Sequence, residues 1–159
     1  MVKNFYSDLE ASKGAEEAVM RTFAALAPNY AFVDISNDRI FFHKGDILAL
    51  APDYSYAYIE VKQDGCIART HNVLCEEAVY YFSNGEKVRG NMYSDYQYYC
   101  VVSPAENKIY VIDFAIMHEH YKSGYYKEIP HEDQITYAYL MPLYRLQELG
   151  AIIAVVDII

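Results

Sequence analysis

Two short apolar runs, Ile47–Leu50 and Tyr56–Ile59, flank a Pro52-Asp53 turn signal, and each adjoins an acid that a purely structural strand has no use for. Asp46 opens the first run, and the second leads straight into Glu60-Val61-Lys62. The spacing predicts a β-hairpin. Side chains alternate between the faces of a strand, so Glu60 and Lys62 share one face and Val61 takes the other. Hairpin pairing then brings Asp46 near the face of Glu60.

Two carboxylates a few ångströms apart with an ammonium beside them make an oxygen-rich site suited to a hard divalent cation. Mg²⁺, or Mn²⁺ in its place, fits best, because it binds through one or two carboxylates and keeps waters and substrate phosphates as its other ligands. The same residues also fit a plainer arrangement, a surface ion pair between Glu60 and Lys62 on the solvated side of an edge strand.

The pattern of Asp46 followed by Glu60-Val61-Lys62 resembles the motif of the PD-(D/E)XK nuclease superfamily. That resemblance implies an α/β fold with a restriction-endonuclease-like core, a mixed β-sheet flanked by α-helices, spanning residues 1–159 as one domain. It implies Asp46, Glu60 and Lys62 as catalytic residues, with Asp46, Glu60 and the main-chain carbonyl of Val61 as metal ligands. A glutamate of the first helix joins the metal site in some members of the superfamily. Glu16 is the candidate here, with Glu17 next and an ordinary helix-surface acid as the alternative for either. Gln63 is a second-rank candidate. DNA is the implied substrate, and pairing as a homodimer is the implied assembly, although no stretch identifies an interface.

Further segments extend the resemblance. His71-Asn72-Val73-Leu74-Cys75-Glu76 echoes a small-Asn-apolar-x-apolar-Glu segment that follows the ExK strand in related chains, with histidine where glycine is usual. The stretch around Asp95-Tyr96 is similar to an aspartate-tyrosine segment that precedes another strand.

Along the chain, apolar residues from Phe5 to Ala27 recur at helical spacing and Pro28-Asn29 closes the helix. Glu16 projects toward its apolar side. Tyr30–Ile35 reads as a strand with Asp34 facing solvent, and Ile40-Phe41-Phe42 leads through His43-Lys44-Gly45 to Asp46. Lys44 is placed to meet a phosphate. Asn84-Gly85 marks a turn behind a strand ending at Phe82. Lys108–Asp113 reads as a strand, Phe114–Tyr121 as a short helix and Gln134–Met141 as a strand. A helix from Pro142 with a Gly150 cap follows, then a final buried strand. His118 and His120, two residues apart on a helix, point away from each other and make a poor metal pair.

The formal charge of −9 weighs against binding nucleic acid over a broad surface, since phosphate contacts rely on Lys and Arg. A local basic rim is compatible with it: Arg21, Arg39, Lys44, Arg69, Lys87 and Arg89 all fall in the half that holds the acids. Three scattered cysteines, with no CxxC pair, point to a reducing, cytoplasmic setting. The opening residues carry no apolar signal core, and no apolar run approaches a membrane span. The reading from a different functional class is a catalytically inactive nuclease-fold protein whose acidic surface, rich in the chain's 18 tyrosines, serves protein interaction.

Overall fold

The structure, a computed structural model, describes residues 5–41 and 44–159. Phe42 and His43, and the side chains of residues 5–9 and of Arg39 in the expected basic rim, lie outside the described residues. Helix α1 runs Phe5–Leu26. Ten strands and three further short helices follow: β1 Ala31–Asp34, β2 Ile47–Leu50, β3 Tyr56–Gln63, α2 Ile67–Thr70, β4 Asn72–Tyr81, β5 Lys87–Arg89, β6 Tyr98–Ser103, β7 Lys108–Asp113, α3 Phe114–His120, β8 Tyr125–Pro130, β9 Gln134–Pro142, α4 Leu143–Glu148 and β10 Ile152–Asp157.

The strands form two sheets, one six-stranded in the order β1-β2-β3-β6-β7-β10 and one four-stranded in the order β5-β4-β9-β8. The larger sheet is mixed, since β3 and β6 run parallel while its other neighbours are antiparallel. A parallel pair cannot be joined by a tight turn, so the chain must leave the sheet between Gln63 and Tyr98 and return. It uses that crossover to lay down β4 and β5, and a second excursion after β7 and α3 adds β8 and β9. The fold is therefore α/β with a mixed sheet flanked by helices, as the sequence leads one to expect. The second sheet is an addition to it.

Alternation along the central strands sorts the core into two layers. Ile59 and Val61 of β3, Cys100 and Val102 of β6 and Ile109 of β7 are buried against Ala15 and Val19 of α1. On the opposite face, Tyr99 and Val101 of β6 and Tyr110 and Ile112 of β7 pack with Val73 and Cys75 of β4, Met141 of β9, and α3 and α4 through Phe114, Met117 and Leu146. The order of layers is thus α1, large sheet, small sheet with α3 and α4.

One segment left unassigned takes shape, and two local expectations change. Residues 67–70 form a helical turn because the Asp64 carboxylate accepts hydrogen bonds from the Cys66 and Ile67 N–H groups and starts it. Pro142 stands at the N-cap of α4 in extended conformation rather than inside its first turn. The final strand is half-buried rather than buried: β10 is an edge, with Ile153 and Val155 exposed.

Candidate active site

Asp46 is fixed from three directions. Its N–H donates to Ile59 O at 2.8 Å, its carbonyl accepts from the Ile35 N–H at 2.8 Å, and its carboxylate Oδ2 accepts from the Val61 N–H at 2.8 Å. Gly45 makes this seat accessible. It adopts φ +108°, and a Cβ at this position would stand 2.7 Å from Ile59 O, so no side chain fits between Asp46 and the strand it leans on. The β2–β3 ladder runs from Leu50↔Tyr56 to Ile47↔Ile59 and stops there, which leaves the Val61 main chain beyond the end of β2. The N–H and C=O of one extended residue point to the same edge of a strand. The Val61 carbonyl therefore opens toward the Asp46 side, where the sequence expects it as a ligand.

Glu60 and Lys62 share the other face, as alternation requires, and pair at 3.0 Å. This is the face that carries Tyr58 toward the core between the two sheets, while Val61 is buried under α1. Lys62 keeps 40 % of its side-chain surface, so water screens the pair, and Glu60 keeps 14 %. The strand that carries the pair is an interior strand and Glu60 is largely covered, so only the Lys62 end is solvated and the pair is not on the solvated side of an edge strand.

The electrostatics bind the cluster together. Burial, with the neighbouring charges of Glu60 and Glu16, pushes the Asp46 carboxyl up to about 7, although the Val61 N–H and Lys62 act against the rise. Burial disfavours the Lys62 ammonium, but the charges of Glu60, Glu76 and Asp46 outweigh it and hold the group protonated well above its usual range. Glu16 is 5 % exposed, and burial, then the charges of Asp34 and Glu60, raise it against hydrogen bonds from Ser36 and Ser12. The acid on the first helix thus belongs to the cluster rather than to the helix surface. Glu17 and Gln63 are exposed, and Asp34 is exposed as expected.

Other candidates lie elsewhere. Asn72 pairs across from Pro142 on the small sheet, whereas Glu76 reaches Lys62 through its charge. Lys44 Nζ is 3.2 Å from Asp95 Oδ2 and so is already paired. His118 packs its ring between Phe114 and Tyr121. Of the expected basic rim, Arg21 donates to Ile159 O at 2.6 Å, while Lys87 lies over Tyr137 and Arg89 over Tyr93 on the β5 edge.

Sequence reasoning gave Tyr96 no role of its own. It is 4 % exposed, its phenol is raised by burial and then by the charge of Glu60, with Cys75, Glu76 and Asp46 adding to it, and its hydroxyl donates to Asn91 O. Asn91 in turn accepts from Glu76 N at 3.1 Å and donates to Tyr99 Oη at 3.0 Å, and Tyr99 Oη donates to Leu74 O at 3.2 Å. This network forms the back wall of the acidic cluster. The Asp95-Tyr96-Gln97 stretch was its only trace in the sequence.

Among the described residues, no three Asp, Glu, His or Cys side chains converge closely enough to cage a metal ion by themselves. Two carboxylates and a main-chain carbonyl form a partial set, of the kind a hydrated Mg²⁺ completes with water and substrate phosphate. No helix among the described residues is long and apolar enough to cross a membrane.

No family model matches the chain, and no curated protein matches it by sequence. Among solved structures, a bacterial homing endonuclease superposes with a TM-score of 0.52 at 11 % identity, covering 84 % of this chain and 78 % of its own. A nuclease from a fusselovirus aligns with a TM-score of 0.42 at 10 % identity over 94 % of both chains. The first of these likenesses is one of fold: the chain shares the architecture of a nuclease structure.

Proposed function

We propose that the protein is a metal-dependent endonuclease of the PD-(D/E)XK type that hydrolyses DNA phosphodiester bonds. The observation that carries this reading is the gathering of Asp46, Glu60 and Lys62 at the end of the β2–β3 ladder, with an Asp46 carboxyl displaced to about 7 by burial and by its acidic neighbours. Perturbed carboxyls of this kind gather at functional sites. A structural pair needs one acid for one lysine, whereas this cluster sets Asp46, Glu60 and Glu16 against Lys62. Surplus negative charge repels a phosphodiester unless cations stand between them.

Asp46, Glu60 and the Val61 carbonyl would hold one or two Mg²⁺, or Mn²⁺ in their place, with Glu16 behind them. A bound metal would neutralise the phosphate and supply an activated water. Lys62 acts as a fixed positive charge, because a group held protonated above its usual range cannot take a proton from water at neutral pH. Its ammonium orients the attacking water and offsets the charge that builds on the phosphoryl oxygens. The Val61 N–H keeps Asp46 turned toward the metal position.

The test is cleavage of supercoiled plasmid and of branched and linear oligonucleotides in Mg²⁺ or Mn²⁺. Wild-type protein should cut and Asp46→Ala should not, with both folded by circular dichroism. Equal cleavage by the two proteins removes the assignment, and no cleavage by either, with no metal bound, favours the interaction module.

A further inference from the structure

Beside the acidic cluster lies an open groove of about 650 Å³ lined by Lys44, Tyr56, Tyr58, Tyr93, Gln97 and His118, among others. Its walls run directly into the cluster. Tyr58 stands on the same strand face as Glu60 and Lys62, Lys44 lies two residues before Asp46, and Tyr96 carries the groove lining up to the charges of Glu60 and Asp46. We propose that this groove is a nucleotide subsite that takes one unpaired base of the DNA strand next to the phosphate being cut, stacked on the Tyr56 and Tyr58 rings. The inference rests on the nuclease reading and deepens it.

The chemistry of the groove selects a base over a phosphate. Among the described residues, Lys44 is the one lysine or arginine in the lining, and it is neutralised by Asp95 at 3.2 Å. What the groove offers instead is aromatic surface. Tyr56 and Tyr58 meet edge to face, with centroids 5.6 Å apart, so they are not stacked on each other and the exposed Tyr56 ring keeps a face for a base. Lys44 Nζ sits over the half-buried Tyr58 ring, 5.7 Å from its centroid, and Phe41 packs on the same ring, so Tyr56 offers the more open face.

Tyr56 is 63 % exposed and Tyr93 42 %, a large exposure for rings that the core does not need. The volume falls within the usual range for small-molecule sites and suits one nucleotide. Aromatic stacking tolerates any base, since every base presents a π-face, so such a subsite takes a base without reading its identity.

The experiment uses oligonucleotides carrying the fluorescent base 2-aminopurine at successive single positions, within a single strand and within a forked duplex. They are mixed with the full chain in Ca²⁺, and the same substrates are followed for cleavage in Mg²⁺. Stacking should quench the probe at one position next to the cut. Tyr56→Ala should remove that quench and raise KM about tenfold with kcat within twofold, and Tyr56→Phe, which keeps the ring, should restore both.

Quenching at no position, or equal quenching in Tyr56→Ala, while Asp46-dependent cleavage persists, overturns the subsite and leaves the nuclease reading intact. Absence of cleavage in the wild-type protein overturns the nuclease reading and the subsite that depends on it.

Discussion

The Asp46 carboxylate accepts a hydrogen bond from the Val61 N–H at 2.8 Å, across fifteen residues of chain. That bond ties the first acid of the cluster to the middle of the Glu60-Val61-Lys62 segment and occupies one lone pair of an oxygen that burial would otherwise strip of partners. Burial first, and then the charge of Glu60, outweigh that bond, which is why the carboxyl rises to about 7. The site is built at the expense of the fold.

The first prediction follows from the sign of that shift. Asp46 binds its proton more tightly folded than at its ordinary value of 3.8, so its contribution to stability is complete below about 4 and lost as pH rises through about 7. Asp46→Asn keeps an acceptor for Val61 and removes the charge. The variant should be more stable than wild type at pH 8 by about 1–3 kcal/mol, out of roughly 4 kcal/mol for the full displacement taken alone. By pH 5 the difference should fall to about a third of its value at pH 8, and it should vanish only below about pH 4. Urea unfolding at the two pH values measures it, and a destabilised variant at pH 8 would contradict the repulsion on which the site reading stands. Cleavage should be lost in the same protein.

Metal affinity should depend on the same proton. A divalent ion displaces it, so below about 7 the affinity for Mn²⁺ should fall by roughly tenfold per pH unit, and above it the affinity should level off. Calorimetric titration at pH 6, 7 and 8 reads this directly. In Asp46→Asn the steep limb should disappear along with most of the binding. A wild-type affinity that does not change between pH 6 and 8 would place the metal away from Asp46.

Gly45 admits a third test that leaves every charged residue in place. Gly45→Ala forces a side chain into φ +108° and against Ile59 O at 2.7 Å, both of them backbone constraints that cannot relax by rotating a side chain. The cost should be about 2–4 kcal/mol in thermal or urea unfolding. Activity should fall further than the unfolded fraction accounts for, because the displaced backbone carries Asp46. Full activity in the folded fraction would show that the seat of Asp46 tolerates the shift.

The parts of this arrangement legible in the sequence are those set by local periodicity. The hairpin could be read from two apolar runs and a turn, the shared face of Glu60 and Lys62 from strand alternation, and the inward aim of Glu16 from its spacing to Val19 and Phe23. What could not be read depends on pairing over long distances. Strand β6 hides in Tyr98–Ser103, whose run of buried residues has no alternation because it is covered on both faces. Its parallel pairing with β3 leaves no turn in the sequence to announce it. Strand β8 is almost wholly exposed along Tyr125–Pro130, so it carries no apolar pattern either. For the same reason Tyr96 shows in the sequence only through the Asp95-Tyr96 resemblance, and Asn91 gives no signal: their hydrogen bonds join separate segments of the chain, β4 and β6.

Lys62 supplies the last prediction, because its charge state separates two mechanisms. Glu60 at 3.0 Å, with Glu76 and Asp46, holds the ammonium protonated above its usual range, so lysine acts as a charge throughout the working pH range. Lys62→Met should lower kcat by about 100-fold or more, the size expected when a positioned charge is removed from the reacting phosphate. The ratio of wild-type to variant rates should stay flat from pH 6 to 9, since the wild-type group does not titrate there. A general-base lysine predicts the opposite, a ratio that grows with pH as the wild-type amine loses its proton. The pH dependence of that ratio, measured on one oligonucleotide substrate at saturating Mg²⁺, therefore decides whether Lys62 acts by its charge or by taking a proton.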